Sequence, residues 1–123
     1  MAYAGRVLVV EDEVLIRMLA VDMLSELGYR SDEAGTAAEA IDLLRADEAD
    51  FAFVFLDIGL PDRSGDELIR DVRASQPQKP LLVASGEDRQ ELKRRLGAFA
   101  PIAFLDKPYD LQRLRTALAE LGL

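Results

Sequence analysis

The chain has 123 residues, half of them hydrophobic, which is enough for one compact domain with a core and too few for two. Lysine and arginine number 15 against 23 aspartate and glutamate residues, and the net charge of -8 argues against nonspecific binding to nucleic acid. Cysteine and histidine are both absent, which excludes disulfides, thiolate catalysis, imidazole bases and a phosphohistidine within this chain.

The composition also bears on location and partners. The first residues, MAYAGRVLVVEDE, reach acidic side chains before any long apolar stretch, so we expect neither a signal peptide nor a membrane span. The absence of cysteine fits a cytoplasmic protein. An acidic chain could still bind a basic protein partner.

Short apolar runs recur along the chain, and a longer segment of helical character follows each of them. Because the runs lack alternation of polar and apolar residues, they indicate strands that are covered on both faces. A more polar segment, YRSDEA at 29–34, fits an edge strand. The four apolar runs are VLVV at 7–10, FAFVFL at 51–56, LLVA at 81–84 and IAFL at 102–105.

Two of the predicted helices have recognisable starts. Thr36 and Ser64 are each followed three positions later by a glutamate, Glu39 or Glu67, as in a capping box. Strand and helix units in alternation predict one α/β domain over residues 1–123. Its sheet would be parallel, with right-handed crossovers and helices on both faces.

Polar residues follow the predicted strands. The carboxyl ends of parallel strands meet at one edge of a sheet, where open α/β sheets bind ligands. That edge would collect Glu11 and Asp12 after the first strand, Asp57 after the third, Ser85 after the fourth and Lys107 after the fifth. Each residue alone has a structural explanation, as a helix cap, turn former, strand end or solvated charge. Complementary groups at four strand ends favour a functional site instead.

The residue types at this edge favour phosphoryl chemistry with a hard metal ion. Three clustered carboxylates repel one another unless a cation lies among them, and oxygen ligands without histidine or cysteine suit Mg²⁺. A carboxylate such as Asp57 can itself be the nucleophile that forms an aspartyl phosphate. Lys107 would then neutralise charge on the other side of the phosphoryl group without any histidine base.

These segments, in this order and at these separations, resemble the receiver domain of two-component response regulators over essentially the whole chain. VLVVEDE resembles the acidic metal-binding pair of that family, and FLDIGLPDRSG resembles its phosphoacceptor loop. VASG resembles its switch hydroxyl segment, and FLDKPY resembles its last motif. The resemblance implies a flavodoxin-like, three-layer (βα)5 fold with a five-stranded parallel sheet in the order 2-1-3-4-5.

The resemblance also implies a role for each residue of the site. Asp57 would be the phosphoacceptor, and the bond between Lys107 and Pro108 would be cis. The implied Mg²⁺ ligands are Glu11, Asp12, Asp57 and the main-chain carbonyl of Gly59. The implied phosphate-binding and switch residues are Ser85, Lys107 and Phe104.

By the same resemblance the chain would be a signalling protein and not an enzyme, beyond accepting its own phosphoryl group and losing it slowly. The donor would be a histidine kinase or a histidine phosphotransfer protein. Phosphorylation would move Ser85, turn Phe104 inward and change how the face of the fourth helix, fifth strand and fifth helix binds a downstream protein. A homodimer through that face is left open. Because the chain ends with the fifth helix, we expect a stand-alone receiver, with an excised domain of a longer protein as the alternative.

The first helix carries more apolar residues than its core face needs. Val14, Leu15, Met18 and Val21 would lie opposite the core face, either as scattered surface residues or as a docking patch. Our hypothesis is that Leu15 and Met18 contact the phosphoryl donor. A helical period assigns the core face to Ile16, Leu19, Ala20, Met23, Leu24 and Leu27.

The predicted fourth helix is rich in basic residues. These form either a solvated charged face or a basic partner surface on an otherwise acidic protein. The residues concerned are Arg89, Lys93, Arg94 and Arg95.

Other functions fit the motifs less well. A haloacid-dehalogenase-type phosphatase needs a second aspartate two residues after its nucleophile, where this chain has Gly59. A Toprim-type nucleic-acid enzyme needs paired aspartates where this chain has Asp57, Ile58 and Gly59, and a flavin-binding relative needs a hydroxyl-rich loop where it has EDE. A receiver-like fold that has lost phosphorylation and acts only by binding stays open, and absence of Mg²⁺ binding would mark it.

Overall fold

The computed structural model describes residues 4–46 and 50–123. Within these ranges five strands alternate with five α-helices. The strands are β1 (Gly5–Val10), β2 (Tyr29–Ala34), β3 (Phe53–Asp57), β4 (Leu81–Ser85) and β5 (Ile102–Asp106). The helices are α1 (Val14–Glu26), α2 (Ala37–Ala46), α3 (Gly65–Ser75), α4 (Arg89–Leu96) and α5 (Leu111–Glu120), and a 3-10 turn (Gly97–Phe99) follows α4.

The sheet is parallel throughout, with the strand order β2-β1-β3-β4-β5. This confirms the predicted flavodoxin-like order. Asp57 at the end of β3 is in register with Ala84, and Ser85 at the end of β4 is in register with Asp106. The carboxyl ends of the central strands therefore meet at one edge, as the sequence predicted.

The core has two layers, one on each face of the sheet. Side chains of β1 alternate between them, since Leu8 and Val10 pack in the layer of α2, α3 and α4, while Val7 and Val9 pack in the layer of α1 and α5. All four are 0% exposed. Burial on both faces explains why the strand appears in the sequence as an uninterrupted apolar run.

The assignment of faces in α1 is wrong at Leu19. Ala20 and Leu24 are buried as predicted, but the side chain of Leu19 is 58% exposed. Leu19 lines an open groove of ≈ 350 Å³ beside Pro108 and Tyr109, so it faces the loop after β5 and not the sheet. Val21, predicted to be outside, is partly buried and packs on the core layer of α1 and α5.

Local backbone features follow the sequence signals. Thr36 and Ser64 accept hydrogen bonds from the main-chain N–H of Glu39 and Glu67, at 3.1 and 3.2 Å, which confirms both predicted helix starts. The peptide bond between Lys107 and Pro108 is cis, as expected. In the described ranges, no helix combines the length and the apolar character that crossing a membrane requires.

Candidate functional site

The acidic residues predicted at the sheet edge form a cluster. One carboxylate oxygen from each of Glu11, Asp12 and Asp57 lies within 4.8 Å of the others. Glu11 is only 5% exposed, whereas Asp12 is exposed and Asp57 is partly buried. The main-chain N–H of Glu11 donates to Ala34 O at 3.0 Å, which extends the pairing of β1 with β2 and fixes Glu11 at the edge.

Lys107 brings a positive charge into this cluster. Its Nζ lies 2.8 Å from Asp57 Oδ1 and 3.6 Å from Glu11 Oε1. The main-chain N–H of Lys107 donates to Ser85 O at 2.9 Å, so the ladder between β4 and β5 continues to the residue that carries the ammonium group. The strand ends thus hold the ammonium group of Lys107 against the carboxylate of Asp57.

Burial and neighbouring charges shift the pKa values of Glu11 and Lys107. Burial raises the pKa of Glu11; the N–H of Glu13 works against that rise and the negative charge of Asp57 adds to it. Burial acts to lower the pKa of Lys107, but the hydrogen bond and charge of Asp57 and the charge of Glu11 outweigh it, so the pKa is raised. Lys107 is therefore firmly protonated at neutral pH.

Tyr109 is a site residue that the sequence analysis did not identify. Burial, together with the negative charges of Glu11 and Asp57, raises the pKa of its phenol to about 12. Its ring packs against Phe55 with the centroids 5.8 Å apart. The available signal was its position two residues after Lys107, at the same strand end.

Ser85 and Phe104 occupy interior positions next to the site edge. Ser85 is 2% exposed, and its Oγ accepts a hydrogen bond from the N–H of Glu87 at 3.0 Å, which leaves the hydroxyl hydrogen to donate elsewhere. Phe104 is 5% exposed and packs with Leu92 and Leu96 in the core layer of α4. The aromatic ring predicted to turn inward is therefore inside in this structure.

The loop between β3 and α3 closes tightly beside Asp57. Gly65 N donates to Ile58 O at 2.9 Å, and a Cβ added to Gly65 would lie 2.6 Å from Ile58 Cα. Any other residue at position 65 would collide with the backbone. Gly59 lies next to Asp57, since a Cβ added there would be 3.7 Å from Asp57 Oδ2, an ordinary contact distance.

Apolar side chains of α1 are exposed near this edge. Leu15 is 75% exposed and Met18 is 53% exposed, so both predicted docking residues lie on the surface. Val14 and Leu19 accompany them and complete an exposed apolar patch, named here the α1 patch, of Val14, Leu15, Met18 and Leu19. The adjoining groove is lined in part by Lys107 and Tyr109, and so connects the α1 patch to the acidic cluster.

The basic residues of α4 are mostly engaged within the molecule. Arg95 bridges Asp66 of α3, at 2.6 Å, and Glu87 of the loop before α4, at 3.3 Å. These hydrogen bonds raise the pKa of Arg95. Arg94 pairs with Glu91, and Arg89 pairs with Asp106 at 3.6 Å. A basic partner surface on α4 would have to compete with these ion pairs.

The chain matches known proteins over nearly its whole length. Residues 7–119 match the family model described as the response regulator receiver domain. The transcriptional regulatory protein PdtaR of Mycobacterium tuberculosis is 34% identical over 118 residues, which are 95% of this chain and 56% of that protein. The chain belongs to the response regulator receiver domain family, whose members are phosphoacceptors in two-component signalling.

The relatives differ in how much of their own length this chain covers. The sensor kinase CckA of Brucella abortus is 33% identical over 118 residues, which are 96% of this chain but 12% of that protein. The chain thus spans about half of one curated relative and about a tenth of the other. The solved structure of the chemotaxis response regulator CheY4 of Vibrio cholerae superposes with a TM-score of 0.81 at 28% identity, covering 95% of this chain and 98% of that one.

Proposed function

We propose that residues 1–123 act as one receiver domain in which Asp57 accepts a phosphoryl group in a Mg²⁺-dependent reaction. The observation that carries the proposal is the contact of Lys107 with both Asp57 and Glu11, at 2.8 and 3.6 Å, beside the third carboxylate, Asp12. The ammonium group of Lys107 already pairs with Asp57. The carboxylate oxygens of Glu11, Asp12 and Asp57 lie close enough together to share a metal cation as well.

The residues present fit Mg²⁺. The cluster offers only oxygen atoms, and the ion prefers few protein carboxylates, retained waters and a phosphate. Glu11, Asp12, Asp57 and the main-chain carbonyl of Gly59 would hold it. Bound there, Mg²⁺ would supply positive charge beside the phosphoryl oxygens.

The chemical step uses groups of this chain and of the donor. A carboxylate oxygen of Asp57 attacks phosphorus, and the new P–O bond forms as the bond between phosphorus and the donor histidine nitrogen breaks. The electron pair of the broken bond stays on that nitrogen. Lys107 stabilises the charge on the phosphoryl oxygens, and Ser85 has a free hydroxyl hydrogen to donate to one of them. Slow attack by water on phosphorus would later release inorganic phosphate and restore Asp57.

The donor would be a histidine kinase or a histidine phosphotransfer protein that docks on the α1 patch. The α1 patch is exposed, and the groove beside it continues to Lys107. An apolar surface of this kind suits the side of a donor helix bundle, and it lies next to the group that must receive the phosphoryl group. Within the α1 patch, Leu15 is 75% exposed and Met18 is 53% exposed, and both are proposed to contact the donor.

The output would be carried by the face of α4, β5 and α5. Drawing Ser85 toward a phosphoryl group would shift the loop before α4, which Arg95 ties to α3. Phe104 packs under α4, the helix that carries Arg95. A downstream protein, or a second copy of this chain, would read the changed face.

The experiment is intact-mass measurement after incubation with acetyl phosphate or phosphoramidate and Mg²⁺. The wild-type chain should gain one phosphoryl group, an Asp57→Asn variant should gain none, and removal of Mg²⁺ should abolish the gain. An Asp22→Asn variant, altered at an exposed position of α1, should behave as wild type. Failure of the folded wild-type chain with both donors would overturn the proposal, and failure to bind Mg²⁺ as well would favour a role in binding alone.

A further inference from the structure

Asp62 connects the loop after the phosphoacceptor to a different helix. Its two carboxylate oxygens accept hydrogen bonds from Ala37 N at 2.9 Å and Ala38 N at 3.0 Å, at the start of α2. These N–H groups have no partner inside their own helix, so a carboxylate from elsewhere stabilises them. The hydrogen bond from Ala37 leads the causes that lower the pKa of Asp62, so the carboxylate is charged at neutral pH.

The start of α2 is therefore capped from two directions. Thr36 accepts from Glu39 N at 3.1 Å and so provides the local cap. Asp62 provides the distant cap from 25 residues along the chain. A helix needs only a local residue for capping, so the second contact has a consequence beyond α2: it fixes the loop from which Asp62 comes.

That loop is held at its base as well as at Asp62. The hydrogen bond from Gly65 N to Ile58 O, at 2.9 Å, closes residues 58–65 into a ring, and Ser64 is committed to capping α3. Gly59 lies between these two attachments, beside Asp57. Without Asp62, the base of the loop would stay closed while the stretch that contains Gly59 lost its outer anchor.

We propose that Asp62 is a positioning residue for the receiver reaction, because its contact with the start of α2 holds Gly59 in place at the metal site. The inference rests on the proposed function, in which the Gly59 carbonyl is a Mg²⁺ ligand. Loss of Asp62 weakens Mg²⁺ binding, and it slows phosphorylation at limiting Mg²⁺ more than at saturating Mg²⁺. Removing a residue that orients a metal ligand typically weakens metal affinity by about tenfold or more. Here only the Gly59 ligand would be disturbed, so we expect an effect at the lower end of that range.

The test compares Asp62→Ala with Thr36→Ala. Both variants lose one cap of the same helix, so their melting temperatures should fall by similar amounts. Only Asp62→Ala frees the loop. Amide chemical shifts of Glu13 and Gly59 during a MgCl₂ titration should give a dissociation constant about tenfold higher for Asp62→Ala and within about twofold of wild type for Thr36→Ala.

Two further measurements distinguish positioning from simple capping. Without metal, the amide of Gly59 should exchange with solvent faster in Asp62→Ala than in Thr36→Ala. Asp62→Asn, which keeps one carbonyl acceptor, should give an intermediate Mg²⁺ affinity, and it carries the comparison if Asp62→Ala does not fold. Equal Mg²⁺ affinity in the Asp62 and Thr36 variants would overturn the inference. A wild-type chain that fails to bind Mg²⁺ would instead overturn the proposed function, so the two failures are distinguishable.

Discussion

Lys107 Nζ lies 2.8 Å from Asp57 Oδ1, and this contact joins the loop after β5 to the end of β3 across the intervening strand β4. Both side chains are mostly shielded from solvent, at 28% and 14% exposure. An ion pair in such a place is less screened by salt than a surface pair. Lys107 therefore orients the carboxylate and offsets part of the negative charge of the cluster.

Replacing Lys107 by Met should have opposite effects on metal binding and on phosphoryl transfer. Without the ammonium group the three carboxylates repel one another more strongly, so Mg²⁺ should bind more tightly. The rate of phosphorylation by acetyl phosphate at saturating Mg²⁺ should fall by about 10²-fold, the usual effect of removing one group that stabilises transition-state charge. A Lys93→Met variant, altered on the exposed side of α4, is the matched control. An unchanged rate in Lys107→Met would contradict the role assigned to this lysine.

Changing both Leu15 and Met18 to Ser should slow transfer from a protein donor by about tenfold or more, because central apolar contacts of an interface each contribute more than about 1 kcal/mol. Phosphorylation by acetyl phosphate should be unaffected, since neither residue lies in the acidic cluster. Both side chains are exposed, so folding should be preserved. Equal loss with both kinds of donor would place the defect in the site and not in docking.

Much of the fold and the site could be predicted because buried parallel strands leave a simple signal. Each apolar run ended next to a polar residue, and the parallel arrangement alone brings Glu11, Asp57 and Lys107 to one edge. The buried face of α1 was predicted less well. Helical periodicity shows which side of the helix points toward the sheet, but not how far the sheet extends beneath that side. Leu19 has core periodicity and yet lies over the loop at Pro108.

The sequence did not predict the partners that Asp62 and Arg95 find far along the chain. Asp62 lies 25 residues from its partner Ala37, and Arg95 lies 29 residues from Asp66. In a sequence, a carboxylate in a loop or an arginine on a charged helix looks the same as many charged residues that are only solvated. Only the packing of α2 against the loop after β3, and of α4 against the start of α3, selects these pairs.

Replacing Arg95 by Ala should loosen the segment after Ser85. Arg95 holds Glu87, and the N–H of Glu87 donates to Ser85 Oγ, so the variant should show about twofold to fivefold faster amide exchange at Glu87. The ion pairs are partly exposed, which limits the loss of unfolding free energy to about 1 kcal/mol. An Arg94→Ala variant loses a pair within α4 only and should leave that exchange rate as in wild type. Faster exchange in both variants would point to fraying of α4 as a whole.

The phenol of Tyr109 should report the charge of the acidic cluster. Its pKa is raised to about 12 by burial and by the charges of Glu11 and Asp57. In an Asp57→Asn variant the phenol of Tyr109 should therefore titrate at lower pH than in wild type. Between pH 10.0, the ordinary value, and about 12, the unfolded chain has lost the Tyr109 proton while the folded chain keeps it. Stability should therefore fall with rising pH across this window.

Two measurements check the behaviour of Tyr109. Absorbance of tyrosinate, compared with a Tyr109→Phe variant, isolates the phenol of Tyr109 from those of the other tyrosines. Denaturant unfolding across the same pH window should then show a shallower loss of stability in Tyr109→Phe than in wild type. An identical midpoint for Tyr109 in wild type and Asp57→Asn would mean that the Asp57 carboxylate exerts no field on the phenol. The raised pKa would in that case come from burial and from Glu11 alone.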